Sequence, residues 1–282
     1  MRLAFATPTP EVAAPVPVAL FSGSFSQRLQ KAARLGYDGV ELMVARPADI
    51  DAADIRSQVA DSGLEIAAIA SGAVYMVDKL TLLARSAEVS RDAERRLQEL
   101  IEFAARVAAP LVTIGGFRGR LAWDGGAPAR ARLIEQLIVA AGQAESCGVR
   151  LVLEPLNRYE SDIVNNTSEA LSLFDEVDRS HLGLLLDTFH VNIEEPSVTD
   201  CFREGMAARK LWHVHLGDSN RLPPGEGHLD FSGIAATLRD IGYQGYLSAE
   251  LLPRPDPDAA GAATIRHMRS FVPAETRSKV HL

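Results

Sequence analysis

The sequence predicts a protein of the α/β class, a closed (β/α)₈ TIM barrel formed by a single domain over residues 1–282. Short apolar runs alternate with longer amphipathic segments almost from end to end, as in parallel strands joined by helices. Eight such units fit this length. A doubly wound open sheet is the main alternative. It is disfavoured because Thr7-Pro8-Thr9-Pro10 stands where that fold has a glycine-rich phosphate turn.

The predicted strands are short runs of β-branched and aliphatic residues. In chain order they cover residues 2–6, 39–43, 65–70, 111–114, 149–154, 183–187, 211–216 and 246–250.

The predicted helices have amphipathic patterns, and several end at a glycine. Ser24 is the predicted N-cap of the first helix, and Gly36 is its predicted end. Segment 71–90 is predicted to be irregular, and the polar tail after Pro273 is predicted to be loose. The helices cover residues 25–35, 51–62, 91–107, 129–147, 168–177, 199–208, 231–241 and 258–271.

Composition excludes several classes of partner. The net charge of −8 is the opposite of a nucleic-acid-binding footprint, and it does not favour anionic lipid. Neither cysteine belongs to a CxxC pair, so a reducing cytoplasm is the simplest location. Prolines interrupt the apolar N-terminal segment, so we expect no signal peptide, and no apolar run is long enough to span a membrane.

Four chemically active residues end four successive predicted strands: Glu154, Asp187, His215 and Glu250. The carboxyl ends of neighbouring barrel strands meet at one face, so these side chains can converge. Three carboxylates and one imidazole favour a divalent metal such as Mn²⁺, Mg²⁺, Co²⁺ or Zn²⁺. Each residue alone has an alternative role as a helix cap or a solvated loop residue.

Other polar residues around these ends have two possible roles. His213 and His215 share a strand face, so one can be the ligand and the other a hydrogen-bonded wall residue. Arg221 is suited to holding a substrate oxygen, but it can also be a surface loop residue. His190 is a candidate substrate donor or a histidine satisfied by packing.

Four segments carry a family resemblance: LEPLNRYE (153–160), LDTFH (186–190), HVHLGDSNRLPPGEGH (213–228) and SAE (248–250). Together they resemble the xylose-isomerase-like barrels, in the D-tagatose/D-psicose 3-epimerase branch. The resemblance implies one divalent metal, with Mn²⁺ favoured, and a homodimer or homotetramer. It also implies Glu154, Asp187, His215 and Glu250 as ligands, Glu154 and Glu250 as acid/base residues, and Glu160, His190 and Arg221 as substrate-binding residues.

The implied reaction is epimerisation of a keto-sugar through an enediolate, with one carboxylate removing a proton and another returning one. Arg118 and Arg120 follow the fourth strand, where either can bind a sugar carboxylate or remain solvated. His228 is a further candidate for substrate binding. A keto-sugar acid is therefore a possible substrate, and the chain is similar to a bacterial group that includes 5-keto-L-gluconate epimerase.

Other reactions remain open at this point. The same barrels include aldose–ketose isomerases of the hydroxypyruvate isomerase kind, inosose dehydratases and subunits that cleave C-glycosides. An endonuclease IV-like barrel is disfavoured by the seven histidines and the acidic charge. A non-catalytic sugar-binding barrel is disfavoured by the presence of both Glu154 and Glu250.

Overall fold

A computed structural model of the chain describes residues 1–13, 15–121 and 127–274. Eight parallel strands form a closed barrel in which each strand pairs with the next and the eighth pairs with the first. The predicted fold class is thus confirmed. The strands are β1 Arg2–Pro8, β2 Gly39–Met43, β3 Glu65–Ala70, β4 Leu111–Ile114, β5 Arg150–Leu153, β6 Leu182–Asp187, β7 Leu211–Leu216 and β8 Tyr246–Ala249.

Helices connect the strands and surround the barrel. They are α1 Phe25–Leu35, α2 Ala52–Asp61, α3 Gly72–Asp78, α4 Ala87–Arg106, α5 Ala127–Ser146, α6 Thr167–Val177, α7 Thr188–Glu194, α8 Asp200–Ala207, α9 Phe231–Asp240 and α10 Pro257–Met268.

Helix α1 begins and ends where its sequence predicts. The Ser24 hydroxyl accepts a hydrogen bond from the Gln27 amide, and the Gln27 side chain accepts one from the Ser24 amide. At the other end, Gly36 has φ 95°, a left-handed conformation that a residue without Cβ adopts readily.

One prediction about local structure was wrong, and one helix was not predicted. Segment 71–90, predicted to be irregular, contains helix α3 and the start of α4, whose first turn is capped by the Ser86 hydroxyl. The helix that was not predicted is α7, which follows β6 without a loop. There Asp187 ends the strand and also caps the helix, because its carboxylate accepts a hydrogen bond from the Phe189 amide.

The pairing register of the last three strands places their polar residues side by side. Asp187 of β6 pairs with His215 of β7, which in turn pairs with Ser248 of β8. The main apolar core lies between the barrel and the surrounding helices. In the part of the chain that the structure describes, no helix is both long and apolar enough to cross a membrane. The predicted loose tail lies, from residue 275 onward, outside the described residues.

Candidate metal centre

Four side chains converge at the carboxyl ends of β5 to β8. Asp187 and His215 lie in β6 and β7, whereas Glu154 and Glu250 each follow the last residue of β5 and β8. One donor atom from each of these residues lies within 4.8 Å of the donor atoms of the other three. The structure therefore brings together the four residues that the sequence selected.

The centre of this cluster consists of polar atoms without partners. Nδ1 of His215 lies 3.6 Å from Oε1 of Glu154 and 3.4 Å from Oε2 of Glu250. Among the described residues, Glu154 Oε1, Asp187 Oδ2 and His215 Nδ1 are buried and lack a hydrogen-bond partner. A buried polar atom left unpaired costs about 1–3 kcal/mol. Three such atoms facing one point fit a divalent cation with oxygen and imidazole ligands.

Burial and neighbouring charges determine which of these groups hold protons. Removal from water raises the pKa of Asp187 to about 7, and the charge of Glu154 adds to this rise. Burial also raises the pKa of Glu154. For His215, burial acts to lower the pKa, but the carboxylates of Glu41 and Glu250 outweigh it and raise the pKa well above its usual range. Below about pH 7, Asp187 and His215 therefore hold protons that a bound cation would displace.

Glu41 is a member of the site that the sequence analysis did not select. It lies in β2, is fully buried, and reaches the histidines of β7 across the barrel interior. Its Oε2 lies 2.8 Å from Nε2 of His213, and both of its carboxylate oxygens lie 3.1 Å from Nε2 of His215. The sequence contains a signal for this role of Glu41: it is a charged residue within a predicted strand, and the strands of a parallel barrel are usually apolar throughout.

The two histidines of β7, whose roles the sequence left open, differ in their contacts. Both contact Glu41 through Nε2, which confirms that they share a strand face. Only His215 also directs its Nδ1 toward Glu154 and Glu250. His213 is fully buried against Glu41, as expected of a hydrogen-bonded wall residue.

The three predicted substrate-binding residues surround the cluster. Nε2 of His190 is buried without a partner and lies 3.9 Å from Oε1 of Glu154 and from Oδ2 of Asp187. Arg221 lies between two carboxylates, with Nη1 3.1 Å from Oε1 of Glu160 and Nη2 3.7 Å from Oε2 of Glu250. These three side chains are therefore within reach of a molecule bound at the cluster.

The remaining candidates lie elsewhere. Arg118 is fully buried and donates hydrogen bonds to Ser161 Oγ and to four backbone carbonyls, those of Gly115, Glu154, Ile163 and Val164. It thus ties the loop after β4 to the loop after β5, and it does not line the cavity described below. His228 is exposed, and its backbone amide donates to Ser219 Oγ. Arg120 is the arginine of this loop that reaches the cavity wall.

A cavity of about 390 Å³ opens above the cluster. Its floor includes Glu154, His215 and Glu250, and its walls combine apolar side chains with Glu160, Arg120 and Arg221. A mostly apolar cleft with a few converging polar groups is the usual form of a small-molecule site. The apolar lining residues are Pro17, Val18, Ala70, Tyr75, Met76, Phe117 and Leu156.

Comparison with known proteins extends over most of the chain. A family model described as a xylose isomerase-like TIM barrel matches residues 29–271. A D-psicose 3-epimerase of Agrobacterium fabrum is 30% identical over 82% of this chain and 80% of its own length. A D-psicose 3-epimerase of Enterocloster bolteae is 47% identical over 116 residues, which are 41% of this chain and 38% of that protein. The crystal structure of a 3-keto-D-glucoside 4-epimerase from E. coli, 21% identical, superposes with a TM-score of 0.79 over 95% of this chain and 100% of the other.

Proposed function

This chain belongs to the xylose isomerase-like TIM barrel family, and we propose that within it the protein is a metal-dependent epimerase of a keto-sugar, of the ketose 3-epimerase type. The observation that carries the proposal is the position of Glu154 and Glu250. Both carboxylates reach the same atom, His215 Nδ1, at 3.6 and 3.4 Å, although they come from separate strands of the barrel. The names of the two relatives compared above support the same class of reaction.

The proposed metal ligands are Glu154, Asp187, His215 and Glu250. Their clustered donor atoms, three of which are buried without a hydrogen-bond partner, fit one divalent ion, and we favour Mn²⁺. Such an ion, when bound, would act as a Lewis acid that stabilises the negative charge of an enediolate.

Glu154 and Glu250 are the proposed proton carriers. Inverting a carbon next to a ketone requires that a proton leaves from one face and another arrives at the opposite face. The two glutamates follow β5 and β8, which are separated in the barrel by β6 and β7. Carboxylates on separated strands can flank one substrate carbon, so one removes the proton and the other supplies it.

Glu160, His190 and Arg221 are the proposed substrate-binding residues. Glu160 and Arg221 line the cavity, and the two are joined by an ion pair. Arg221 also lies 3.7 Å from Glu250 through Nη2, so it can hold a substrate oxygen close to a proton carrier.

A keto-sugar acid is the second candidate for the substrate. The observation that favours it is Arg120, which lines the cavity and is not one of the proposed metal ligands. A guanidinium is well suited to a carboxylate, because it presents paired donors in a planar fork.

A substrate panel tests the proposed function. The purified protein is incubated in D₂O with Mn²⁺ and either neutral ketoses or keto-sugar acids such as 5-keto-L-gluconate, and the mixtures are followed by proton NMR. We expect deuterium to enter one carbon and a second epimer to accumulate, with no loss of water. Dehydration or aldose formation as the main process would assign the protein to another reaction, and no exchange with any sugar would overturn the proposal.

A further inference from the structure

His190 presents its two ring nitrogens to different surroundings. The side chain is 1% exposed and lies in α7, one turn after Asp187. Nδ1 lies 2.7 Å from Nδ2 of Asn157 and 3.3 Å from the backbone nitrogen of Asn157. Nε2 points the other way, toward Glu154 and Asp187, and has no hydrogen-bond partner. Which nitrogen carries the proton determines whether His190 can donate into the site.

The amide of Asn157 has only one orientation that satisfies its neighbours. Its Oδ1 accepts hydrogen bonds from the backbone amides of Tyr159 and Glu160, at 3.0 and 3.2 Å. Backbone N–H groups can only donate, so the side-chain atom that faces them must be the oxygen. The NH₂ group therefore faces Nδ1 of His190, and it also donates to Oε1 of Glu160 at 3.1 Å.

This orientation determines the tautomer of His190. Nδ1 faces two N–H donors, both from Asn157, so it must accept. In a neutral imidazole the proton then lies on Nε2. A doubly protonated ring would place a third N–H group against the two donors and is disfavoured for the same reason.

We propose that Asn157 is a positioning residue that fixes His190 as the Nε2–H tautomer, so that His190 donates a hydrogen bond to a substrate oxygen at the metal centre. The step from tautomer to substrate rests on the proposed function above, whereas the tautomer itself does not. Because Asn157 also donates to Glu160, which accepts from Arg221, one amide orients two of the proposed substrate-binding residues.

The tautomer can be measured without substrate or turnover. Protein labelled with ¹⁵N in its histidines, and loaded with Mg²⁺ to avoid a paramagnetic ion, is studied by long-range ¹H–¹⁵N NMR. The His190 signals are identified by their loss in the His190→Gln variant. We expect Nδ1 at the shift of an unprotonated nitrogen and Nε2 at that of a protonated one. Protonation at Nδ1 in the wild type would overturn the proposal.

The Asn157→Asp variant reverses the hydrogen bond, because a carboxylate oxygen then faces Nδ1. We expect the proton to move to Nδ1, and turnover to fall by about 10²-fold or more, as when an oriented donor is removed. Asn166→Asp is the matched control: Asn166 lies on the same loop and caps α6, and aspartate is an equally good cap. It should keep the Nε2–H signal and the wild-type rate.

The outcomes separate this inference from the proposed function. An Asn157→Asp variant that keeps both the Nε2–H signal and its activity would refute the role of Asn157 even if the enzyme is an epimerase. Conversely, a tautomer that shifts as expected would support that role even if no sugar in the panel is epimerised.

Discussion

Nε2 of His215 lies 3.1 Å from both carboxylate oxygens of Glu41, and its Nδ1 faces Glu154 and Glu250. The hydrogen bond to Glu41 places the ring proton on Nε2 and leaves the Nδ1 lone pair for a cation. A carboxylate behind a histidine ligand fixes the ring and increases its basicity. Glu41, inside the barrel, thus orients His215 at the carboxyl end of the barrel.

Replacing Glu41 with glutamine should weaken Mn²⁺ binding by about 10- to 100-fold, because His215, the proposed histidine ligand, loses its anionic partner. Isothermal titration calorimetry on the metal-free protein measures this change. Glu88→Gln is the control, since Glu88 is exposed on α4. Wild-type affinity in Glu41→Gln would contradict the role given to this contact.

Replacing Glu154 or Glu250 with glutamine should lower the epimerisation rate by at least about 10²-fold at saturating Mn²⁺, because each variant lacks one of the two proposed proton carriers. Proton NMR in D₂O gives the rate, and far-UV circular dichroism shows whether the fold is retained. Normal rates in both variants would exclude the two-carboxylate mechanism.

Gly115 is predicted to be intolerant of a side chain. A Cβ at this position would lie 2.5 Å from Oε2 of Glu154, so the carboxylate would have to move. Because a displacement of about 1 Å in a catalytic group can reduce rates by about 10²-fold, we expect a loss of that size in Gly115→Ala.

The matched variant is Gly142→Ala in α5, where a Cβ meets no atom within 4 Å. It should retain the wild-type rate and Mn²⁺ affinity, since alanine also suits a helix better than glycine. Equal rates in the two variants would show that the position of Glu154 does not depend on Gly115.

Metal affinity should fall as the pH is lowered. In the metal-free protein the pKa of Asp187 is raised to about 7 and that of His215 is raised well above its usual range, so below pH 7 both groups hold protons. Both protons must leave when a cation binds. Each unit of pH below about 7 should therefore reduce the apparent Mn²⁺ affinity by about 100-fold.

Calorimetry in buffers of different ionisation enthalpy counts the protons released on Mn²⁺ binding. We expect a count that approaches two below pH 7 and decreases as Asp187 ionises above it. An affinity that does not change with pH in the acidic range would be incompatible with this linkage.

Local patterns in the sequence were sufficient to predict the barrel and to select the four proposed ligands. The spacing of apolar residues and the positions of glycines predict the strands and helices. Parallel strands in a closed barrel bring their carboxyl ends to one face. Glu154, Asp187, His215 and Glu250 lie at or next to the carboxyl ends of their strands, so their convergence follows from the fold class alone. Helix α7 was not predicted because no loop precedes it: Asp187 is both the last residue of a strand and the N-cap of the helix.

Only the tertiary structure decided the contacts that cross the barrel or join separate loops. Glu41 contacts His215 between strands that are not neighbours, and Asn157 in the loop after β5 contacts His190 in helix α7. Arg118, a candidate for substrate binding from its position in the sequence, is instead buried among backbone carbonyls. A sequence pattern records which face of a strand or helix a residue occupies, but hydrogen-bond partners depend on distances that exist only after the chain has folded.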